Sequence, residues 1–238
     1  MVKKQRIIIK ISGASIKDEK NSIFCNKKLL CLAEQLKALS KIYSIGVVLG
    51  GGNIWRGNMT KNHIFSSDSA DYMGMISTIM NGIALKEVLS KIGVKVELFS
   101  ALSIEKIALK ISPQLLNKKL SEDKLLIFVG GIGRPSYTTD TACVRRAKDI
   151  NAKVIFMGKD GVSGIYTSDP KINKNAKFIN DITFTKAIKM NLKVMDLTAM
   201  KMCKKFKINI YVFMADAKNA IINVVKQSNN TKYTYIHN

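Results

Sequence analysis

The chain has 238 residues, 47% of them hydrophobic and 24% charged, with a formal net charge of +22 at pH 7. That composition fills one α/β domain, or two small lobes on a shared core, and excludes a disordered chain. No apolar run reaches the roughly 18 residues that a membrane span needs.

Residues 1–10 carry an apolar run interrupted by Lys10 and no small-residue cleavage site. They read as the approach to a first strand over 6–11 rather than a signal peptide, with the protein expected in the cytosol. Leu29, Leu32, Leu36 and Leu39 share one face of a helix expected over 26–43. The apolar run 45–49 reads as a buried strand leading into Gly50-Gly51-Gly52-Asn53-Ile54-Trp55-Arg56-Gly57. A second long helix is expected over 69–91, stopped by Gly93, with Met73, Ile76, Met80, Ala84 and Val88 on a face packed into the core.

Strands follow over 94–99 and 124–129. Between them 102–122 reads as helical, with Pro113 breaking it or starting a turn. The later strand runs into Gly130-Gly131-Ile132-Gly133, then a helix over 140–151 capped by Thr138 or Thr139. A strand over 152–157 and a glycine-punctuated loop over 158–170 come next. A helix-period stretch over 194–206, a strand over 209–214, a helix over 217–227 and an edge strand over 232–236 close the chain. Neither an internal repeat nor a low-complexity linker is present.

Strands alternating with helices predict an open, mostly parallel sheet with helices on both faces, and ligands beyond the carboxyl ends of the strands. Four segments begin where predicted strands end and can converge there. They are Lys10-Ile11-Ser12-Gly13, the triple-glycine turn with Arg56, Gly133-Arg134-Pro135-Ser136-Tyr137-Thr138-Thr139-Asp140, and the loop from Asp160 to Pro170. The triple-glycine stretch has two readings: a backbone N–H cradle for phosphate, completed by Arg56, or a tight turn. The P-loop, the dinucleotide fingerprint and the protein-kinase motif set are all absent.

Cys25, Cys31, Cys143 and Cys203 form no Cys-x-x-Cys pair, and His63 and His237 are the only histidines. Zinc binding and histidine-assisted nucleophilic catalysis are therefore not expected, and the thiols read as small hydrophobes. The positive charge is nearly all lysine spread along the chain, with arginine only at Arg6, Arg56, Arg134, Arg145 and Arg146. Specific nucleic-acid binders cluster arginine with aromatic residues, so no specific nucleic-acid partner is expected. A general, salt-sensitive attraction for anionic small molecules does follow.

Together with Met73-Gly74-Met75, Met80-Asn81-Gly82 and Leu192-Lys193-Val194-Met195-Asp196-Leu197, these four segments resemble the bacterial-type uridylate kinases of the amino-acid kinase superfamily. The likeness runs from about residue 6 to 236. It implies a single α/β/α sandwich over 1–238, with the UMP side roughly 1–150 and the ATP side roughly 151–238. It also implies transfer of a phosphoryl group from ATP, with Mg²⁺, to UMP in pyrimidine nucleotide biosynthesis, a homohexamer, and inhibition by UTP. The acceptor is a phosphate oxygen already ionised near neutral pH, so no general base is needed and the scarcity of histidine is no obstacle.

The resemblance also implies roles. Lys10, Asp140 and Arg56 form the catalytic set, with Lys10 neutralising charge on the transferred group and Asp140 orienting Lys10 and helping to hold the metal. ATP contacts fall to Lys10, Ile11, Ser12, Gly13, Gly52, Arg56, Asp160, Tyr166 and Asp169, with Lys159 as a second phosphate-facing lysine. UMP contacts fall to Gly51, to Asp71 on the ribose, and to Ile132, Gly133, Arg134, Pro135, Ser136, Tyr137, Thr138 and Thr139. Plainer readings stand beside them: a strand-ending lysine for Lys10, a surface ion pair for Arg56, a helix-start carboxylate for Asp71, a cap for Asp140 and a turn before Pro170 for Asp169. Ala14 stands where many relatives carry glutamate, and Arg134 where a smaller or amide residue is common. Two rival functions are a sister enzyme phosphorylating a carboxylate and a basic, non-catalytic nucleic-acid-binding protein.

Overall fold

The computed structural model describes residues 4–18, 22–56, 64–170, 172–192, 194–228 and 231–238; Gly57, His63 and Lys193 lie outside them. The main sheet has nine strands. In chain order they are β1 (Arg6–Ile11), β2 (Ser44–Leu49), β3 (Val96–Ser100), β4 (Leu109–Lys110), β5 (Leu125–Val129), β6 (Val154–Lys159), β9 (Asp181–Thr183), β10 (Asn209–Met214) and β11 (Tyr233–His237). Two short strands, β7 (Ile165–Tyr166) and β8 (Phe178–Ile179), form a separate antiparallel ribbon. Across the sheet the order is β4-β3-β5-β2-β1-β6-β10-β11-β9, and every pair is parallel except β10 with β11.

Among the described residues seven α-helices cover the two faces: α1 (Asn26–Ser40), α2 (Ser67–Lys91), α3 (Pro113–Ser121), α4 (Thr139–Asp149), α5 (Phe184–Lys189), α6 (Leu197–Phe206) and α7 (Ala220–Val225). Strand alternation sorts the core into two layers. Ile7, Ile9 and Ile11 of β1 pack with α1, α2 and α7, whereas Ile8 packs with α3, α4, α5 and α6. This is the three-layer, mostly parallel architecture that the alternating pattern predicted.

Four expectations need correction. The helix expected over 102–122 exists only as α3, because Ser112 caps it by accepting from the Leu115 N–H and Pro113 fills its first position; the short strand β4 precedes it. The methionine face of α2 is not the core face: Ile76 is 52% exposed and Met80 41%, while Met75, Thr78, Ile79, Asn81, Gly82, Leu85 and Leu89 are buried. The helix expected over 217–227 shrinks to α7, since Asn219 takes a left-handed conformation (φ 54°). Strand β11 is not an edge, because β9 pairs outside it. Within the loop expected over 158–170 the structure forms the short strand β7; β8, β9 and α5 had no sequence expectation.

Close approach explains one α2 glycine. A Cβ on Gly82 would overlap Val129 Cγ1 and lie 2.9 Å from Leu98 Cδ1, so the helix sits directly on β5 and β3. Gly82→Ala gains about 1 kcal/mol of helix propensity but costs about 1–3 kcal/mol of overpacking. The expected net result is about 1 kcal/mol of destabilisation, read from urea unfolding.

At the far side of the sheet, His237 Nε2 lies 3.0 Å from Asp181 Oδ1, joining β11 to β9. That hydrogen bond, with one to the Asn238 carbonyl, holds the imidazole above its ordinary pKa of 6.5. The protonated form is favoured by folding, so its stabilisation is complete below the unfolded value and vanishes as pH rises through the folded one. His237→Gln is therefore expected to lower stability at about pH 5.5 and to be nearly neutral at about pH 8.5, by denaturant unfolding at each pH.

Candidate active site

Strand alternation that buries Ile8 on the α4 side also aims Lys10 there, beyond the last apolar residue of that row. Thr138 caps α4 by accepting from the Asp140 and Thr141 N–H groups, which sets Asp140 in the first turn. Lys10 Nζ then lies 2.8 Å from Asp140 Oδ1, with only 12% and 15% of the two side chains exposed. Oδ1 is buried and makes no aligned hydrogen bond, so the contact is ionic.

Lys159, at the carboxyl end of β6, falls on the same face as Met157 and hence as Lys10. Burial pushes its ammonium below the ordinary lysine range; Lys10 adds to that and Asp140 opposes it. Two lysines and one carboxylate thus meet where two neighbouring strands end. That leaves an excess of positive charge suited to a phosphoanion.

The triple-glycine turn joins this cluster through backbone packing. Gly50 donates to the Ile11 carbonyl at 2.9 Å. A Cβ on Gly13 would stand 2.5 Å from Asn53 Oδ1, 2.7 Å from the Gly50 carbonyl and 2.8 Å from the Gly52 nitrogen, so only glycine allows the two turns to touch. Asn53 and Asn81 exchange side-chain hydrogen bonds at 2.7 and 3.0 Å, and Asn81 also donates to the Gly50 carbonyl. This buried amide pair pins the turn to α2. Arg56 Nε donates to the Gly52 carbonyl at 2.8 Å, folding the guanidinium back over the same turn.

A cavity of about 260 Å³ opens between this turn, α2 and the start of α4. Gly51, Gly52, Asp71, Tyr137, Thr138 and Thr139 line it, six of the residues singled out in the sequence. Asp71 belongs to the second turn of α2, and its Oδ2 accepts from the Ser136 N–H at 2.6 Å. Gly133 (φ 78°) turns away from the cavity and packs on Ala101, and Ile132, Arg134 and Pro135 are not among the lining residues.

On the other side of Lys10, Asp160 Oδ1 accepts from Ser15 Oγ at 2.6 Å, which ties the loop after β6 to the turn after β1. Tyr166 packs edge-on against Phe178 in the β7–β8 ribbon, with ring centroids 5.2 Å apart. Asp169 opens the following turn, its carbonyl accepting from the Ile172 and Asn173 N–H groups. A second cavity, of about 270 Å³, lies beside this loop between Ser163, Phe213, Met214 and Lys218; it includes neither Tyr166 nor Asp169.

Sequence reasoning gave no role to Asp196, yet it caps α6 through the Ala199 N–H and accepts from the hydroxyls of Thr138 and Thr141. It therefore locks the first turn of α4, and Asp140 with it, onto α6. The signal was an aspartate placed just before an apolar helical run. Trp55 also lines the 260 Å³ cavity unforeseen, its indole nitrogen buried without a hydrogen-bond partner among the described residues.

A family model described as the amino acid kinase family matches residues 5–214. Among curated relatives, a uridylate kinase from Ureaplasma parvum is 44% identical over 235 residues, covering 99% of each chain. One from Mycoplasmoides gallisepticum is 42% identical and covers 100% of both. The crystal structure of UMP kinase from Ureaplasma parvum superposes with a TM-score of 0.95 at 44% identity, covering 99% of each chain. That of UMP kinase from Bacillus anthracis gives 0.91 at 30% identity, covering 98% of this chain and 96% of that one.

Proposed function

The chain belongs to the amino acid kinase family and, within it, to the uridylate kinases; from that premise we propose how it moves the terminal phosphoryl group of ATP onto UMP. The P–O bond to the bridging oxygen of ATP breaks, a P–O bond to a UMP phosphate oxygen forms, and ADP and UDP leave. The acceptor oxygen is already ionised, so the chain has no proton to remove. Its work is to align two polyanions and to neutralise them.

The observation that carries this reading is the seating of Gly13 on the triple-glycine turn. It brings the end of the lysine strand against Gly52, a lining residue of the proposed acceptor cavity. Lys10 and Lys159 neutralise the charge that develops on the transferred group, with Asp140 holding Lys10 in line. Gly51 and Gly52 offer backbone N–H groups, Arg56 a guanidinium to phosphate, and Asp71 a ribose acceptor. Thr138 and Thr139 hold the nucleotide, with the segment from Ile132 to Tyr137 closing around it.

The cavity draws all its lining residues from 51–139, which supports an acceptor side over 1–150 and an ATP side over 151–238. To ATP we assign Asp160, Tyr166 and Asp169 of that side, together with Ile11, Ser12 and Gly13 at the end of β1. Mg²⁺ fits one feature of the site: Asp140 Oδ1 is a hard oxygen donor with no hydrogen bond of its own. Among the described residues no group of three or more acidic, histidine or cysteine side chains could hold a metal, so nucleotide phosphates and water would supply the remaining ligands. Bound there, the ion would neutralise phosphate charge.

The same proposal includes a homohexamer, inhibition by UTP and a cytoplasmic setting. Assembly is supported by the α2 face that carries Tyr72, Ile76, Met80 and Ile83, all more than 40% exposed at helical spacing. None of the described helices is long and apolar enough to cross a membrane. The test of the reaction is labelled ATP offered with UMP, CMP, dTMP, aspartate, acetylglutamate or carbamate. UMP should be the preferred acceptor; product from an amino acid and none from UMP would overturn the assignment.

A further inference from the structure

A further concavity lies on the sheet face opposite the one that carries Lys10 and Lys159. It is a groove of about 800 Å³ over β10, β11 and β9, bordered by Gln227 and Ser228 where the chain leaves α7. Three tyrosines form its apolar wall: Tyr211, Tyr233 and Tyr235. None belongs to the acceptor cavity or to the loop after β6. The volume suits a small organic ligand, for which sites of about 300–1,000 Å³ are usual.

The rings are fixed before anything binds. Gln227 Nε2 donates to the Tyr211 hydroxyl at 3.0 Å, and Asn209 Nδ2 to the Tyr235 hydroxyl at 2.7 Å. Tyr211 stacks on Phe156 at 5.1 Å and lies 4.8 Å from Tyr235, while Tyr233 meets it at 64°. The result is a rigid aromatic corner, with little ordering cost left for a ligand to bear.

Charge and spacing narrow what fits. Ring centroids 4.8–5.3 Å apart are in mutual contact, which leaves no gap for a cation between them and excludes an aromatic cage. Asp181 lines one end of the groove, but its carboxylate is paired with His237. Lys232 lines it too; it is exposed, pairs with no carboxylate among the described residues and holds its ammonium 4.6 Å from the centre of the Phe178 ring, so it is the groove's cation. A polyanionic strand needs a track of cations, and this groove offers one. A single flat ring carrying a single phosphate matches all three features.

We propose that this groove is a second ligand site, which takes a nucleoside monophosphate with its base against the Tyr211–Tyr233 corner and its phosphate at Lys232. Stacking supplies the affinity, and the Ser228 and Thr231 hydroxyls beside Lys232 give the phosphate further donors. No residue is shared with the acceptor cavity; Thr231 and Lys232 also line the cavity beside the loop after β6, so the Tyr166 signal has to be read alongside those of the groove to tell this site from the proposed ATP side.

The test is ¹⁹F NMR of the full chain with 3-fluorotyrosine at its seven tyrosines, titrated with AMP, adenosine, inorganic phosphate and a ten-residue oligo(dA). Single Tyr→Phe variants assign the signals, and Tyr137 reports the acceptor cavity separately. AMP should shift the Tyr211, Tyr233 and Tyr235 signals saturably, and adenosine should bind about 10-fold more weakly. Lys232→Gln, an exposed position that leaves the rings in place, should weaken AMP about 10-fold and abolish the advantage over adenosine. Groove signals unmoved by AMP, or equal affinities of AMP for wild type and Lys232→Gln, would overturn the proposal. So would tighter binding of the oligonucleotide, which would mean a strand, or shifts on dilution without ligand, which would mean a second copy of the chain. Failure of the kinase reading would show instead as a Tyr137 signal indifferent to UMP.

Discussion

Lys10→Ala is expected to lower kcat by about 10²–10³-fold while the KM for UMP stays within about 2-fold. The ammonium sits at the end of β1, 2.8 Å from Asp140 and with 12% of its side chain exposed. A charge held there in advance acts on the group in flight more than on the bound ground state, so its loss appears in kcat. Removing it also strands the Asp140 carboxylate in a largely buried place, which costs stability on its own account. Lys10→Ala with Asp140→Asn separates the two effects. The double variant should recover most of the lost unfolding free energy and none of the lost turnover, by urea unfolding and steady-state assay of the same preparations. Recovered turnover would mean that Lys10 serves only to neutralise Asp140.

Much of the sheet was readable because period carries it. Short apolar runs gave β1, β2, β5, β6 and β10, and the leucine spacing gave α1. The helix α2 misled for a physical reason. Its inner face has to approach the triple-glycine turn and β5 closely and to bond their backbones, so it carries Ser77, Thr78, Asn81 and Gly82 where a core helix carries large apolar residues. Thr78 Oγ1 accepts from the Gly130 N–H, and Asn81 donates to the Gly50 carbonyl. The large residues Tyr72, Ile76, Met80 and Ile83 are turned outward instead. A hydrophobicity pattern therefore points the wrong way exactly where the helix serves the site.

Strands of two or three residues, such as β7, β8 and β9, are too short to show a period. For the site, strand ends announced Lys10 and the glycine turns. Asp196 was invisible as a partner of α4, since nothing local in the sequence records that α6 begins beside Thr138 and Thr141. Lys159 was named as a second phosphate-facing lysine only through the resemblance; its burial beside Asp140 is a tertiary fact.

Asp71→Ala should raise the KM for UMP by about 10–100-fold and leave the KM for ATP within about 2-fold. The carboxylate lines the acceptor cavity and holds the Ser136 N–H at 2.6 Å, at a residue forced to φ 67°. The proposed role gives it a use toward the ribose of the nucleotide, beside the observed one toward the Ser136 loop. Asp71→Asn distinguishes them, because an amide oxygen still accepts from Ser136 while the charge is gone. If the ribose contact dominates, the asparagine variant should show most of the KM increase, since hydrogen bonds to charged acceptors contribute about 1.5–3 kcal/mol. If holding the loop dominates, it should behave almost as wild type. A rise in the KM for ATP, with that for UMP unchanged, would mean that the donor and acceptor sides have been assigned in reverse.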